Sequence, residues 1–132
     1  KQMKLEFLKN KNIFISGGTG SFGKKMTSFL LKNANIKKII IFSRDEQKQY
    51  QLKKKYNSKK VRFLLGDVRD KERLNFAMKD VNIVIHAAAL KHVDMAEYNP
   101  FEYINTNVVG AENIISCAFA NTDAYVLALK GC

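Results

Sequence analysis

The sequence predicts a doubly wound α/β fold with a mostly parallel sheet, and two observations carry this prediction. Short apolar runs alternate along the chain with stretches whose apolar residues recur at helical spacing, which is the pattern of strand–helix–strand units. The first apolar run ends in a cluster of glycines and then opens into a helical stretch. A chain of 132 residues, 46% of them hydrophobic, can bury one core, so we expect one domain over residues 1–132.

The predicted strands are five short runs rich in β-branched and aromatic residues. Continuous apolar runs of this kind are typical of buried parallel strands. The fourth run passes into three consecutive alanines, which indicates that something packs closely against its end. The predicted strands are residues 12–16, 38–43, 61–65, 81–89 and 124–129.

Four helices are predicted between the strands. Asn33 is suited to end the first helix, and Asp70 is a predicted N-cap of the third. Pro100 suits the first turn of a long helix, because the N–H group that it lacks has no partner there. The predicted helices are residues 22–32, 45–56, 70–78 and 100 to about 120.

Composition excludes several classes of protein. No stretch approaches the roughly 20 apolar residues of a membrane span, and residues 1–11 lack the apolar centre of a secretory signal. We therefore expect a cytoplasmic protein without a membrane span. The two cysteines, Cys117 and Cys132, form no disulfide framework. His86 and His92 have no third ligand at metal-binding spacing, so structural roles are favoured and no metal site is predicted.

The formal net charge of +11 raises the question of nucleic-acid binding, since clustered lysines attract phosphate. The lysine clusters fall on predicted helix faces and turns, where a solvated surface explains them. Neither an aromatic stacking pattern nor a nucleic-acid-binding motif accompanies them. Specific nucleic-acid binding is therefore not predicted.

A glycine-rich loop, residues 16–23, has the sequence Ser-Gly-Gly-Thr-Gly-Ser-Phe-Gly and joins the first predicted strand to the first predicted helix. A turn this tight needs glycine backbone angles, and it lets a pyrophosphate approach the main chain while amide groups at the helix start face its charge. The pattern predicts a Rossmann-like dinucleotide site, with an ordinary structural turn as the alternative. The predicted cofactor-binding residues of the loop are Gly17, Thr19, Gly20, Ser21, Phe22 and Gly23.

The same loop also approaches the phosphate loop of nucleotide triphosphatases, as Gly18-x-x-x-x-Gly23-Lys24. That loop needs Ser or Thr after the lysine to hold Mg²⁺. Lys25 stands there instead, so a triphosphatase is disfavoured.

The end of the second predicted strand bears on the choice of cofactor. NAD sites usually carry an acid there to hold the ribose 2′-hydroxyl, whereas this strand ends in Ser43 and Arg44. A hydroxyl and a guanidinium, with Lys48 one turn along the following helix, suit a 2′-phosphate and favour NADP. The alternative is that Arg44 merely pairs with Asp45 or Glu46.

Several further motifs complete a pattern that covers about residues 7–129. With them, the chain resembles an extended short-chain dehydrogenase/reductase, and more narrowly the inverting UDP-N-acetylglucosamine 4,6-dehydratases of the polysaccharide-biosynthesis group. The motifs are Gly17-Gly-Thr-Gly-Ser-Phe-Gly-Lys-Lys25, Ser43-Arg-Asp-Glu46, Gly66-Asp-Val-Arg-Asp70, His86-Ala-Ala-Ala-Leu-Lys-His-Val93, Glu97-Tyr-Asn-Pro100 and Asn105-Thr-Asn-Val108.

The resemblance implies roles for residues that spacing alone does not assign. Asp67 and Val68 would contact the adenine, and Ala87, Ala88 and Ala89 would line the inner cofactor site. Lys91 would face the catalytic pocket and Asn107 would help to organise it. Without the resemblance, Asp67 is as well explained as a turn cap, and Lys91 and Asn107 as surface residues.

The resemblance also implies the reaction. A UDP-sugar would lose hydride from C4 to NADP⁺, lose water across C5 and C6, and regain hydride at C6 with inversion at C5. The product is a 4-keto-6-deoxy sugar nucleotide for surface polysaccharide or glycan biosynthesis, and the reaction is redox-neutral. The resemblance is compatible with a homo-oligomer.

The sequence departs from the family after the fifth predicted strand. There the family continues with Ser-Thr-Asp-Lys and a catalytic Tyr-x-x-x-Lys pair, whereas Lys130, Gly131 and Cys132 follow here. We therefore expect these residues to lack the catalytic pair and the sugar-nucleotide domain, with a fold incomplete at its C-terminal side. Two interpretations stay open: a dehydratase that needs the remaining part, or an NADP-binding module without turnover.

Two other tyrosines have a lysine at the spacing of the catalytic pair. They are Tyr50 with Lys54 and Tyr56 with Lys60. Both pairs lie between the second and third predicted strands, at or beyond the adenosine side of a Rossmann site. In a stretch so rich in lysine, coincidence is the favoured explanation.

Overall fold

The computed structural model of the chain describes residues 5–86, 113, 114, 117 and 125–128. Within these residues, five strands form one sheet, and a 3-10 turn, Glu6–Leu8, precedes the first. The strands are β1 (Asn12–Ser16), β2 (Lys38–Ser43), β3 (Val61–Leu65), β4 (Ile83–His86) and β5 (Tyr125–Ala128). The helices are α1 (Ser21–Asn33), α2 (Glu46–Tyr56) and α3 (Lys71–Ala77).

The order of the strands is β3-β2-β1-β4-β5, and every neighbouring pair is parallel. Ile13 of β1 pairs with Ile39 of β2 on one side and with Ile83 of β4 on the other. The chain therefore crosses from one side of β1 to the other between β3 and β4. In sheets of this kind, ligands bind in the crevice outside the carboxyl ends of the strands at such a reversal.

Alternate residues of the strands face two separate apolar cores. Ile13 and Ile15 of β1 belong to a core that also contains Leu30 of α1. Phe14, between them, belongs to a second core with Leu74 of α3. Helices thus cover both faces of the sheet, which explains why the central strands β1, β2 and β4 carry consecutive buried apolar residues, whereas the edge strand β3 has no buried residue. The predicted doubly wound, Rossmann-like fold is confirmed.

Two of the helices begin at aspartates that cap them. The Asp45 carboxylate accepts a hydrogen bond from the Lys48 N–H at 2.9 Å, and the Asp70 carboxylate accepts one from the Arg73 N–H at 3.1 Å. An N-cap side chain of this kind satisfies a backbone donor that the helix itself leaves without a partner. The predicted N-cap at Asp70 is confirmed.

The later elements agree with the predictions where they are described. β4 begins at Ile83 rather than at residue 81, after a turn in which Asp80 has a φ of 63°. Residues 113, 114 and 117 are helical, as the long predicted helix requires. The rest of that helix and residues 87–89 lie outside the described residues. Of the helices that are described, none is both long and apolar enough to cross a membrane.

Candidate nucleotide-binding site

The corner between β1 and α1 is a tight turn that begins at Gly17. Gly17 has a φ of 67°, in the left-handed region that favours glycine. Its N–H donates to the Phe42 carbonyl at 2.9 Å, which ties the corner to the end of β2. The Gly20 N–H donates to the Gly17 carbonyl at 3.0 Å, and the Gly20 carbonyl accepts the first helical bond, from the Lys24 N–H at 2.9 Å. The predicted strand–turn–helix corner is therefore present.

Gly23 lets the first turn of α1 lie directly on the backbone of the corner. A Cβ atom at Gly23 would stand 2.4 Å from the Gly18 Cα atom, and one at Gly18 would stand 2.7 Å from the Ile41 Cγ2 atom. Neither position has room for a side chain. Gly18 was not among the predicted site residues, although the Gly17-Gly18 pair in the sequence is a signal for such a contact.

The start of α1 differs from the starts of α2 and α3. Gly20 precedes α1, so no side chain caps the helix, and its first turn has no acidic residue. The amides of the first turn are therefore available to an anion, and the helix dipole favours negative charge there. Thr19 is buried and Phe22 packs against a core, so these two residues can reach a ligand mainly through their backbone. Ser21 is exposed.

Three charged side chains meet beside the carboxyl ends of β2 and β3. The Asp67 carboxylate accepts hydrogen bonds from Arg69 at 2.7 Å (Nη2) and at 3.1 Å (Nε), and from the Arg69 N–H at 2.9 Å. The nearest Arg44 nitrogen, Nη1, is 3.7 Å from Asp67 Oδ2. The hydrogen bond from the Arg69 side chain is the main cause that holds the pKa of Asp67 below its usual range.

These contacts bear on the alternatives for Arg44 and Asp67. Arg44 pairs with Asp67, not with Asp45 or Glu46, so that alternative is wrong. The Asp67 carboxylate accepts a hydrogen bond from the Arg69 N–H, so Asp67 does cap a turn, as the alternative to an adenine contact predicted. Val68 is buried in one of the cores.

The side chain of Lys48 lies on the exposed surface of α2. Its Nζ atom is 4.0 Å from Asp45 Oδ2, and more than half of the side chain is accessible to solvent. An ion pair this long and exposed restrains a side chain weakly. Lys48 is therefore free to turn toward a ligand at the end of β2.

Ser43, the last residue of β2, is held by a residue that the sequence did not single out. The Gln49 Nε2 atom donates to the Ser43 hydroxyl at 2.9 Å and to the Leu64 carbonyl at 2.9 Å. Gln49 is buried, although it lies in a helix of mostly exposed polar residues. The only sequence signal is its place three residues before Leu52, the other buried residue of α2.

The carboxyl ends of β1 and β4 are joined by a pair of buried polar side chains. Ser16 and His86 are partners in the strand register, and the Ser16 hydroxyl lies 2.7 Å from the His86 Nδ1 atom. Burial lowers the pKa of His86, because it disfavours the charged imidazole. Within the described part of the chain, no three side chains are grouped as metal ligands.

With this geometry in view, comparison with known proteins identifies the family. A family model described as "Polysaccharide biosynthesis protein" matches residues 13–130. The chain belongs to this polysaccharide-biosynthesis family.

Relatives of this polysaccharide-biosynthesis chain include enzymes that act on sugar nucleotides. It is 57% identical over 120 residues to the UDP-N-acetylglucosamine 4,6-dehydratase (inverting) of Campylobacter jejuni subsp. jejuni serotype O:23/36 (strain 81-176), which covers 91% of this chain and 36% of that protein. It is 49% identical over 124 residues to the UDP-glucose 4-epimerase of Rickettsia bellii (strain OSU 85-389), covering 92% and 36%. The resemblance to inverting dehydratases is confirmed, and the chain spans about a third of the length of these relatives.

A solved structure gives the same result for the fold. The X-ray structure of Pen from Bacillus thuringiensis matches with a TM-score of 0.87 at 41% sequence identity. The match covers 92% of this chain and 37% of the other. The polysaccharide-biosynthesis chain therefore shares its fold with about a third of that solved structure.

The predicted residues of the inner cofactor site and catalytic pocket lie outside the described residues. They are Ala87, Ala88, Ala89, Lys91 and Asn107. His92 lies outside them too. Their roles in this polysaccharide-biosynthesis chain stay predictions.

The contacts of the two tyrosine–lysine pairs at catalytic spacing do not favour a role in proton transfer. The Lys54 Nζ atom lies over the face of the Tyr50 ring, 4.4 Å from its centroid, in a cation–π contact. Tyr56 donates to the Lys24 carbonyl at 3.4 Å, and burial raises the pKa of its hydroxyl. A tyrosine that takes a proton needs a lowered pKa, so the position of Tyr56 favours a structural role.

Proposed function

We propose that this chain is the NADP-binding part of a UDP-N-acetylglucosamine 4,6-dehydratase that inverts C5 and serves surface polysaccharide or glycan biosynthesis. The observation that carries the proposal is the glycine corner, with Gly17 hydrogen-bonded to the end of β2, where Arg44 follows. In this proposal, the sites for the pyrophosphate and for the ribose phosphate would lie at the ends of neighbouring strands. The 57% identity to a dehydratase of that name supports the reaction.

The pyrophosphate of the dinucleotide would lie on the corner of β1 and α1. Gly17 and Gly20 keep the backbone open, and the close contact of Gly23 with Gly18 brings the helix start beside it. The first-turn amides, which include those of Ser21 and Phe22, would donate to phosphate oxygens where no acidic side chain competes.

The preference for NADP rests on the charges beside β2 and β3. Arg44 and Arg69 carry two positive charges and Asp67 one negative charge, so the group has a net charge of +1. Arg69 already satisfies the carboxylate, which leaves Arg44 to bind a 2′-phosphate, together with Ser43 and Lys48. In the same proposal, Asp67 and Val68 contact the adenine at the end of β3.

The chemistry divides between cofactor and chain. Bound NADP supplies a hydride acceptor and donor, so that oxidation at C4 and reduction at C6 balance around the loss of one water. The chain orients the dinucleotide at the ends of β1 and β2. In the family pattern Ala87, Ala88 and Ala89 line the cofactor site, while Lys91 and Asn107 belong to the sugar pocket.

Calorimetric titration of the 132-residue chain with NADP and NAD tests the binding half of the proposal. We expect both dinucleotides to bind, and NADP to bind more tightly. If neither dinucleotide bound, the assignment of the glycine corner would be overturned. Equal affinities would overturn the preference for NADP and leave the corner in place.

The reaction is tested in a chimera in which this chain replaces the matching third of the Campylobacter jejuni dehydratase. We expect the chimera to convert UDP-N-acetylglucosamine to the 4-keto product, seen by mass spectrometry as the loss of one water, and the 132-residue chain alone to give no sustained turnover. A folded chimera that binds NADP without turnover would favour a binding module instead. Epimerisation without loss of water would favour the activity named for the Rickettsia bellii relative.

Several statements about the whole protein remain predictions. They are the single domain over residues 1–132, a homo-oligomeric assembly and a cytoplasmic location.

A further inference from the structure

Gln49 is a buried amide in a helix whose residues are mostly exposed to solvent. It is 6% exposed, and α2 buries one other side chain, Leu52. A buried amide without hydrogen bonds destabilises the fold, so the partners of a buried amide indicate its role. Its immediate neighbours in sequence, Lys48 and Tyr50, are both exposed.

The Gln49 side chain joins the ends of β2 and β3. Its Nε2 atom donates to Ser43 Oγ and to the Leu64 carbonyl at 2.9 Å each, and lies 3.4 Å from the Ser43 carbonyl. The amide has two hydrogens, which the two shorter contacts use. The Ser43 hydroxyl is therefore an acceptor toward Gln49, and its own proton is left to be donated to another acceptor.

We infer that Gln49 is a positioning residue for recognition of the 2′-phosphate: its amide orients the Ser43 hydroxyl as a donor toward that phosphate, beside Arg44. The inference rests on the proposed preference for NADP. Ser43 is 9% exposed, so little of it is open to water, and its hydroxyl would have few competing orientations.

The direction of the hydroxyl matters for NADP and much less for NAD. A phosphate oxygen only accepts hydrogen bonds, so it needs Ser43 as a donor. The ribose 2′-hydroxyl of NAD can accept or donate, and it adapts to either orientation. If Gln49 only clamped β2 to β3, its loss would weaken both dinucleotides alike.

The test measures the dissociation constants of both dinucleotides for the 132-residue chain and three variants, Ser43→Ala, Gln49→Met and the double variant. Methionine keeps the length of the side chain and removes the donor. We expect Gln49→Met to weaken NADP about threefold to tenfold, the value of one hydrogen bond, and NAD by less than about twofold. Ser43→Ala should weaken the two dinucleotides to the same extents. Because the two residues act through one hydrogen bond, the double variant should bind NADP no more weakly than either single variant.

Each outcome separates this inference from the proposed function. A wild-type chain without preference for NADP overturns the NADP proposal itself. If Gln49→Met or Ser43→Ala keeps the wild-type preference for NADP, only the role of Gln49 is overturned. The same holds if a variant loses affinity equally for both dinucleotides, or if the loss of affinity in the double variant is the sum of the two single losses. Thermal melting checks that each variant folds. If Gln49→Met does not fold, Gln49→Asn, whose shorter amide cannot span to Ser43, carries the same expectation.

Discussion

Asp67 is bound by Arg69 much more closely than by Arg44. The shortest Arg69 contact with the carboxylate is 2.7 Å, whereas the Arg44 contact is 3.7 Å and involves one oxygen. Arg69 also donates its backbone N–H to the same carboxylate. Since Arg69 satisfies Asp67, moving the Arg44 guanidinium toward a phosphate would break no short hydrogen bond.

Arg44→Glu should weaken NADP binding far more than NAD binding. The change removes a charge-assisted hydrogen bond to the 2′-phosphate and adds a repulsive charge, so the dissociation constant for NADP should rise about tenfold or more. Lys53→Glu is the matched control, because it makes the same change of charge in the last turn of α2, away from the site. Calorimetry checks both variants, and equal losses of NADP affinity in the two would remove the role of Arg44.

Arg69→Met should lower the affinity for NADP although Arg69 itself is not assigned to the phosphate. Without Arg69, the Asp67 carboxylate would hold Arg44 as its own partner, and the dissociation constant should rise roughly twofold to fivefold, the scale of an exposed ion pair. Adding Asp67→Asn removes the competing charge and should restore part of the affinity. A loss that the second change does not reverse would contradict this competition.

Stability should fall as the pH drops below 6.5, and His86 should be one cause. The pKa of folded His86 is lower than its usual 6.5. As the pH falls, His86 therefore takes up a proton in the unfolded chain before it does so in the folded chain. The contribution of neutral His86 to the free energy of unfolding is complete above pH 6.5 and is lost as the pH falls through the folded pKa. Urea midpoints between pH 8 and pH 5 measure how stability changes with pH, and His86→Asn should reduce this change. His92→Asn serves as the control. The same pH dependence in wild type and His86→Asn would contradict the prediction.

Gly23→Ala should destabilise the protein, whereas Gly20→Ala should have a smaller effect. A Cβ atom at Gly23 would lie 2.4 Å from backbone, and one at Gly20 would lie 3.3 Å from the Gly17 carbonyl oxygen. Overpacking of this kind costs about 1–3 kcal/mol. Denaturant unfolding compares the two variants, and equal stabilities would show that α1 can shift to make room.

The strands and helices could be predicted because their signals are local. Residues 39–42 are a continuous apolar run because both faces of β2 are covered, and Asp70 precedes a helix because its carboxylate caps it. The glycine corner was predictable for the same reason, since the spacing of Gly17, Gly20 and Gly23 between a strand and a helix is a local signal.

The contacts around the corner could not be predicted, because they depend on which strands become neighbours. The sequence offers Asp45 and Glu46 as partners of Arg44, whereas the pairing of β2 with β3 brings Asp67 beside it. Gln49 resembles the other polar residues of α2 until the ends of the two strands are in place around it. Such contacts follow from tertiary packing, which composition and periodicity do not contain.

The hydrogen bond between Ser16 and His86 joins residues that are 70 positions apart. A parallel neighbour cannot arrive through a short hairpin, so β1 leaves the ribosome well before β4 exists to cover its second edge. Contacts of long sequence separation slow folding, and an uncovered strand edge invites association with other chains. The second edge of β1 therefore stays uncovered until residue 86 has been made, and during that interval it is open to association with other chains.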